Sequence, residues 1–248
     1  MNNCGVVYVA VDPESSPSPF KFNSAKKSIL RDVMASIKSL RRSNPSIKIT
    51  VFSDFKEILD SGSNDYTPIS IENDYGFLPK VFGILNSPYE KTIFLDCDTH
   101  IQNDISTLFT LLVDDDICIG REFLNPHILN TGVVSFNNSL PRVRSFLKSW
   151  YESMVNTKSK AISSQKTFSN KTPDDQGHFN QIYKLGFKNA NGRPKRIRDV
   201  ISLSKSISFH ILDTKIWNCR NSEYNTLKKE NWDFSKTKIF HMRGFKTQ

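Results

Sequence analysis

The chain has 248 residues, 38% apolar content and a formal charge of +9. That length and apolar fraction exclude an intrinsically disordered chain and suit one α/β domain spanning residues 1–248. The positive charge suits nucleic acid, an anionic membrane surface or phosphorylated substrates, but the basic residues are scattered and lack interleaved aromatics, so no specific nucleic-acid partner is expected.

The first predicted element is a buried strand over residues 5–11, "GVVYVAV", followed by a Pro/Ser loop. From Ser24 to Arg42, Ile29, Leu30, Val33, Ile37 and Leu40 recur at helical spacing and predict an amphipathic helix, stopped by "NPS". A second strand is expected over 47–54, a short helix closed by Gly62, and a third strand over 67–72. Residues 77–87 predict a helix that tolerates Pro79 in its first turn. Residues 91–96, "KTIFLD", are the candidate central strand. Asp104 is placed to cap a following helix, and strands are expected over 116–120 and 132–136. Pro141 opens a strong helix. Residues 156–172 lose periodicity and read as a mobile loop. A helix begins near Asp175 with acids at its N-terminus, and the tail carries two further strands, over 206–212 and around 238–245. Strands alternating with helices predict a mixed, mostly parallel sheet flanked by helices, with ligands beyond the carboxyl ends of its strands.

The four cysteines, Cys4, Cys97, Cys118 and Cys219, show no CxxC spacing, which argues against a zinc site and for a reducing compartment. No signal peptide or bilayer-spanning stretch is evident, so a cytoplasmic location is expected.

Asp96 and Asp98 stand where the central strand ends, held at a rigid sheet edge. Two chemistries suit such a pair. Hard cations such as Mn²⁺ or Mg²⁺ take oxygen ligands, and one intervening residue lets both carboxylates turn to one ion bridging a diphosphate. Alternatively Asp96 attacks a phosphate and Asp98 serves as acid, since "IFLDCDT" also resembles the motif of haloacid-dehalogenase phosphatases. That motif usually ends a first strand, and here a strand, a helix and another strand precede it. A second pair, Asp114 and Asp116 within "DDD", reads as a solvated loop. Cys97 reads as a small apolar residue, and His178 and His210 as structural.

Four blocks in order carry a closer resemblance: "FLPKVFGILNSPYEKTIFLDCDTHIQNDISTLF" (77–109), "LNTGVVSFN" (129–137), "DDQGHFN" (174–180) and "HMRGF" (241–245). Together they resemble the retaining nucleotide-sugar glycosyltransferases of the glycogenin and lipopolysaccharide galactosyltransferase group. The resemblance implies the GT-A fold, a Rossmann-like nucleotide-diphospho-sugar transferase fold, with Mn²⁺ (or Mg²⁺) and a UDP-sugar donor. The acceptor, whether glycan, lipid or protein, is not implied. Carried over, Asp96, Asp98 and His241 hold the metal, with Asp96 also on the ribose side. Lys80 reaches the diphosphate or sugar, Asn130 and Gly132 line the sugar pocket, and Ala10 holds the nucleotide. Asp175 and Gln176 face the transferred sugar as the catalytic pair. Gly244 and Lys246 complete the donor site, although the family's K-P-W ending is missing and Lys246 falls one place early. No tyrosine occurs between Tyr183 and Tyr224, so self-glycosylation is not carried over.

Overall fold

The computed structural model describes residues 3–12, 26–71, 77–123, 125–163, 175–185 and 207–242. The expected strand–helix alternation holds through its first half. Strand β1 (Cys4–Ala10) is followed by α1 (Lys26–Ser43), β2 (Lys48–Ser53), α2 (Lys56–Leu59), β3 (Thr67–Ser70), α3 (Leu78–Leu85) and β4 (Lys91–Leu95). Past the acidic pair come β5 (Thr99–Ile101), α4 (Thr107–Leu111), β6 (Ile117–Arg121), β7 (Leu129–Asn137), α5 (Pro141–Ser163) and α6 (Asp175–Leu185). The last part holds β8 (Phe209–Leu212), α7 (Thr214–Trp217), β9 (Cys219–Arg220), α8 (Asn221–Lys229) and β10 (Ile239–His241).

Seven strands form one sheet in the order β3-β2-β1-β4-β7-β6-β8. All run the same way except β7, which pairs antiparallel with both β4 and β6. The period-two alternation of strand side chains splits the apolar residues between two faces. Val7 and Phe94 join Phe136, Trp150 and Phe179 on the face covered by α3, α5 and α6. Val6, Tyr8, Ile93 and Leu95 join Val33, Leu40 and Phe109 on the face covered by α1 and α4. This is the mixed, mostly parallel sheet that the alternation predicts.

The reversal at β7 positions the site. The C-terminal ends of β4 and β6 and the N-terminal start of β7 all meet at one sheet edge, where Leu95 pairs with Val133 and Gly120 with Asn130. A small second sheet, β5-β10-β9, sits beyond that edge, and its register places His241 opposite Thr99. Strand β5 is absent from the sequence reading because three residues are too few to show periodicity.

Three local expectations need correction. Helix α5 continues to Ser163, so residues 156–163 are helical and not loop; the rest of the expected loop, 164–172, lies outside the described residues. Helical backbone bonds need no apolar face, so a polar extension of a packed helix has no periodic signal. Helix α4 starts only at Thr107, and Asp104 instead accepts hydrogen bonds from the N–H and hydroxyl of Ser106 at 2.9 and 2.7 Å. Asp116 is buried, not solvated. It accepts a two-pronged hydrogen bond from Arg142 at 2.7 Å per prong and another from the Ser208 N–H at 3.1 Å. Those partners lie 26 and 92 residues away in the chain, beyond any local pattern.

Candidate active site

Asp96 follows β4 directly, and its N–H donates to the Gly132 carbonyl at 2.9 Å, extending the β4–β7 ladder by one rung. Asp98 lies two residues on, where its carbonyl accepts from the Met242 N–H at 2.6 Å. That bond locks the end of β10 against the acidic pair and delivers His241. The His241 Nε2 lies 3.0 Å from Asp98 Oδ1 and 3.8 Å from Asp96 Oδ2. One donor atom from each of Asp96, Asp98 and His241 falls within 4.8 Å of the others. On its other side, His241 Nδ1 lies 3.1 Å from Asn218 Oδ1. A carbonyl oxygen only accepts, so Nδ1 donates to it, and Nε2 is the ring nitrogen turned toward the carboxylates.

These three residues therefore fit a divalent cation. Two carboxylates and one imidazole form a donor set suited to such an ion, and the second ring nitrogen is held as metal-ligating histidines require. Gly132 belongs to the same arrangement. A Cβ there would stand 2.6 Å from His241 Cε1 and 2.9 Å from Nδ1, so the glycine makes room for the imidazole.

Lys80, on α3, reaches under the site. Its Nζ lies 2.8 Å from Asp96 and 2.7 Å from Asp175, with the Phe94 ring centroid 5.0 Å away. Burial works against its charge, but Asp175 and Asp96 overcome that and hold its ammonium above the ordinary lysine range. Burial likewise pushes the Asp96 carboxyl up; Lys80 and His241 pull it back, while Asp98 and Asp175 push it further up. Read alone, Lys80 is as much a solvated helix residue as a ligand; here it is a buried cation between two acids.

Asp175 opens α6. Its carboxylate accepts from the Thr131 hydroxyl at 2.6 Å, and its carbonyl accepts from the Trp150 indole at 2.9 Å. Asn180, one turn on, bonds both the N–H and the carbonyl of Leu129 at 2.8 Å and clamps α6 to the start of β7. Gln176 donates through Nε2 to Glu122 Oε1 at 3.0 Å. Asn130 is buried and fully engaged within the protein. Its Nδ2 donates to Glu122 at 2.7 Å, and its Oδ1 accepts from the Gly132 N–H at 2.9 Å and from Asn218 at 2.7 Å. Ala10, also fully buried, ends β1 opposite Ser53 of β2. Gly244 and Lys246 lie outside the described residues.

The structure thus brings Lys80, Asp96, Asp98, Asn130, Gly132, Asp175, Gln176 and His241 to one edge. It adds Glu122, Asn218 and Arg220, none of which the sequence reading singled out. Glu122 and Arg220 are joined by Arg220 Nη1, at 2.9 and 2.7 Å from the two carboxylate oxygens. No motif marks them, because they meet from segments 98 residues apart. Cys97 donates its thiol to the Val9 carbonyl at 3.1 Å, and burial pushes that thiol well up, so it is no nucleophile. His178 bonds Ser153 at 2.8 Å and His210 lies 3.1 Å from Asp115, both away from the cluster.

A doubly covered α/β sheet with one reversed strand, an acidic pair at its edge and a small sheet that returns a histidine to that pair define the GT-A fold of nucleotide-sugar transferases. Solved structures bear this out. The chain is similar to the glycosyltransferase GlyE of Streptococcus pneumoniae TIGR4, with a TM-score of 0.58 and 16% identity over 98% of this chain and 55% of that one. It thus spans about half the length of GlyE. It is also similar to the galactosyltransferase LgtC in complex with donor and acceptor sugar analogues, with a TM-score of 0.54 and 12% identity over 96% of this chain and 86% of LgtC. An active-site glutamine-to-glutamate variant of LgtC matches with a TM-score of 0.52 and 12% identity. No family model and no curated protein matches the sequence. The phosphatase alternative gains no support, since Asp96 follows the fourth strand rather than the first and the matched structures are glycosyltransferases. Among the described residues, no helix is long and apolar enough to cross a membrane.

Proposed function

We propose that this chain is a metal-dependent glycosyltransferase, moving a sugar from a UDP-sugar to an acceptor with retention at the anomeric carbon. The observation that carries the reading is the convergence of Asp96, Asp98 and His241, with the imidazole turned so that Nε2 faces both acids. These residues would hold Mn²⁺ or Mg²⁺, which supplies Lewis acidity against the negative charge that builds on the diphosphate as the glycosidic bond breaks.

The chain's own groups account for the rest. Lys80 is a buried, preformed cation within reach of Asp96, and an ammonium there adds point-charge stabilisation to a diphosphate leaving group. Asp175 is braced from three directions, by Lys80, Thr131 and Trp150. It is suited to orient a donor sugar through its hydroxyls. Gln176 has its NH₂ bound to Glu122, which leaves its carbonyl oxygen as the group with electron density to offer an oxocarbenium-like sugar. The active-site glutamine altered in the LgtC variant is in keeping with this role. Residues 1–248 are read as one catalytic domain, with Gly244 and Lys246 as donor-side residues and Ala10 shaping the nucleotide end. The cysteine pattern favours a cytoplasmic setting.

The test is calorimetric titration of UDP with and without Mn²⁺. Wild-type protein should bind UDP only with the metal, and Asp98→Ala should abolish that binding while remaining folded. Metal-independent UDP binding, or full metal-dependent affinity in the variant, would overturn the proposal. Hydrolysis of a donor panel then identifies the sugar.

A further inference from the structure

Asparagine is a poor helix former, because its amide competes for nearby backbone groups. Asn180 nevertheless stands in the middle of α6, and it is buried. Three backbone groups meet its amide. Oδ1 accepts from the Leu129 N–H at 2.8 Å, and Nδ2 donates to the Leu129 carbonyl and, one turn back in α6, to the Gln176 carbonyl, both at 2.8 Å. A backbone N–H only donates and a carbonyl only accepts, so these partners admit one orientation of the amide. Leu129 is the first residue of β7, and Asn180 satisfies both of its backbone groups, as a neighbouring strand would. One NH₂ thus ties the main chain of Gln176 to the strand that carries Thr131 and Gly132 into the site. A second tie comes from α5. The buried Trp150 indole donates to the Asp175 carbonyl at 2.9 Å, and its ring packs edge-on against Phe179 with 4.9 Å between centroids. Both ties fall on the main chain of Asp175 and Gln176, where α6 enters the site.

We infer that Asn180, aided by Trp150, is a positioning residue for sugar transfer: it fixes the first turn of α6 against β7 and so places Gln176 at the reacting carbon. The inference rests on the proposed function, which puts the Gln176 carbonyl beside the donor sugar. A displacement of about 1 Å at such a group typically costs about 100-fold in rate. Aspartate at position 180 keeps the shape and the acceptor for the Leu129 N–H but replaces the NH₂ with oxygen. Ionised, it repels both carbonyls; protonated, it donates to one of them at most. In either form the Gln176–Leu129 tie is broken. The metal ligands come from the end of β4 and from β10, outside this tie, so metal-dependent UDP binding is expected to persist.

The experiment compares wild type with Asn180→Asp in turnover and in calorimetric UDP binding with Mn²⁺, well below the melting temperature of either. The folded variant should lose about 100-fold in kcat while UDP affinity stays near that of wild type. A purely structural role would lower the melting temperature and leave turnover per bound UDP unchanged, and that result would overturn the inference. If Asn180 acts through Gln176, its substitution should cost much less in a Gln176→Ala background; losses that multiply in full would also overturn it. Should Asn180→Asp fail to fold, Trp150→Phe takes its place, since it keeps an aromatic ring against Phe179 and removes only the bond to Asp175. Its turnover should fall with UDP binding retained, and undiminished turnover would overturn the inference. Wild-type protein that binds no UDP with Mn²⁺ would refute the proposed function and this inference with it, whereas an active wild type with equally active variants would refute this inference alone.

Discussion

Replacing Gly132 by alanine tests the site with one added methyl group. In the present backbone the new Cβ would lie 2.6 Å from His241 Cε1, 2.9 Å from Nδ1 and 3.0 Å from Asn130 Oδ1. Carbon atoms in favourable contact sit ~3.5–4.0 Å apart, so the imidazole must retreat by about 1 Å. His241 is buried and tethered to Asn218 at 3.1 Å, so the retreat also strains that hydrogen bond. Inserting a methyl into a packed region typically costs about 1–3 kcal/mol, which a folded domain survives. Metal coordination is far less forgiving, with ligand distances held to about 0.2 Å. Gly132→Ala should therefore lower the melting temperature modestly while metal-dependent UDP binding becomes undetectable. Paired thermal unfolding and calorimetry check both halves. A variant that unfolds as expected but binds UDP and Mn²⁺ as the wild type does would refute the argument that Gly132 exists to admit His241.

Two further outcomes follow from the same geometry. Gln176→Ala should lower turnover by about 100-fold or more while donor affinity changes little, because its carbonyl acts on charge that develops only in the transition state; loss of UDP binding with full turnover at saturation would contradict the role. Glu223 is buried beneath the Arg220 N–H, which it accepts at 3.0 Å, and burial pushes its carboxyl up to about 7. The folded state then holds this proton more tightly than the unfolded one, so wild-type stability falls as pH rises from the unfolded glutamate value, ~4.3, toward 7. Glu223→Gln removes that loss, and its melting temperature relative to wild type should rise across this interval and level off above it; a difference independent of pH would show that Glu223 does not titrate there.

Local pattern was sufficient where the physics is local. The alternation of β1 and β4, the amphipathic spacing of α1 and the Pro-led start of α5 are each written within one segment, because a side chain's face depends only on its position in a regular backbone. Asp96 and Asp98 are legible for the same reason: two acids at the end of an apolar strand must emerge at a sheet edge. His241 stands out only through its place in an ordered set of four motifs. The tertiary structure alone decided the rest. Asp116 looks solvated within "DDD" and is buried because Arg142 and Ser208 come to it from distant elements. Lys80 carries no signal of burial until Asp96 and Asp175 close around it. Glu122, Asn218 and Arg220 lie outside every motif, and their roles arise from the reversal of β7 and the pairing of β9 with β10, which bring β6, β7, α6 and the small sheet to one point. Contacts at the site join neighbours in space, and this chain's neighbours there lie 98 residues apart and more.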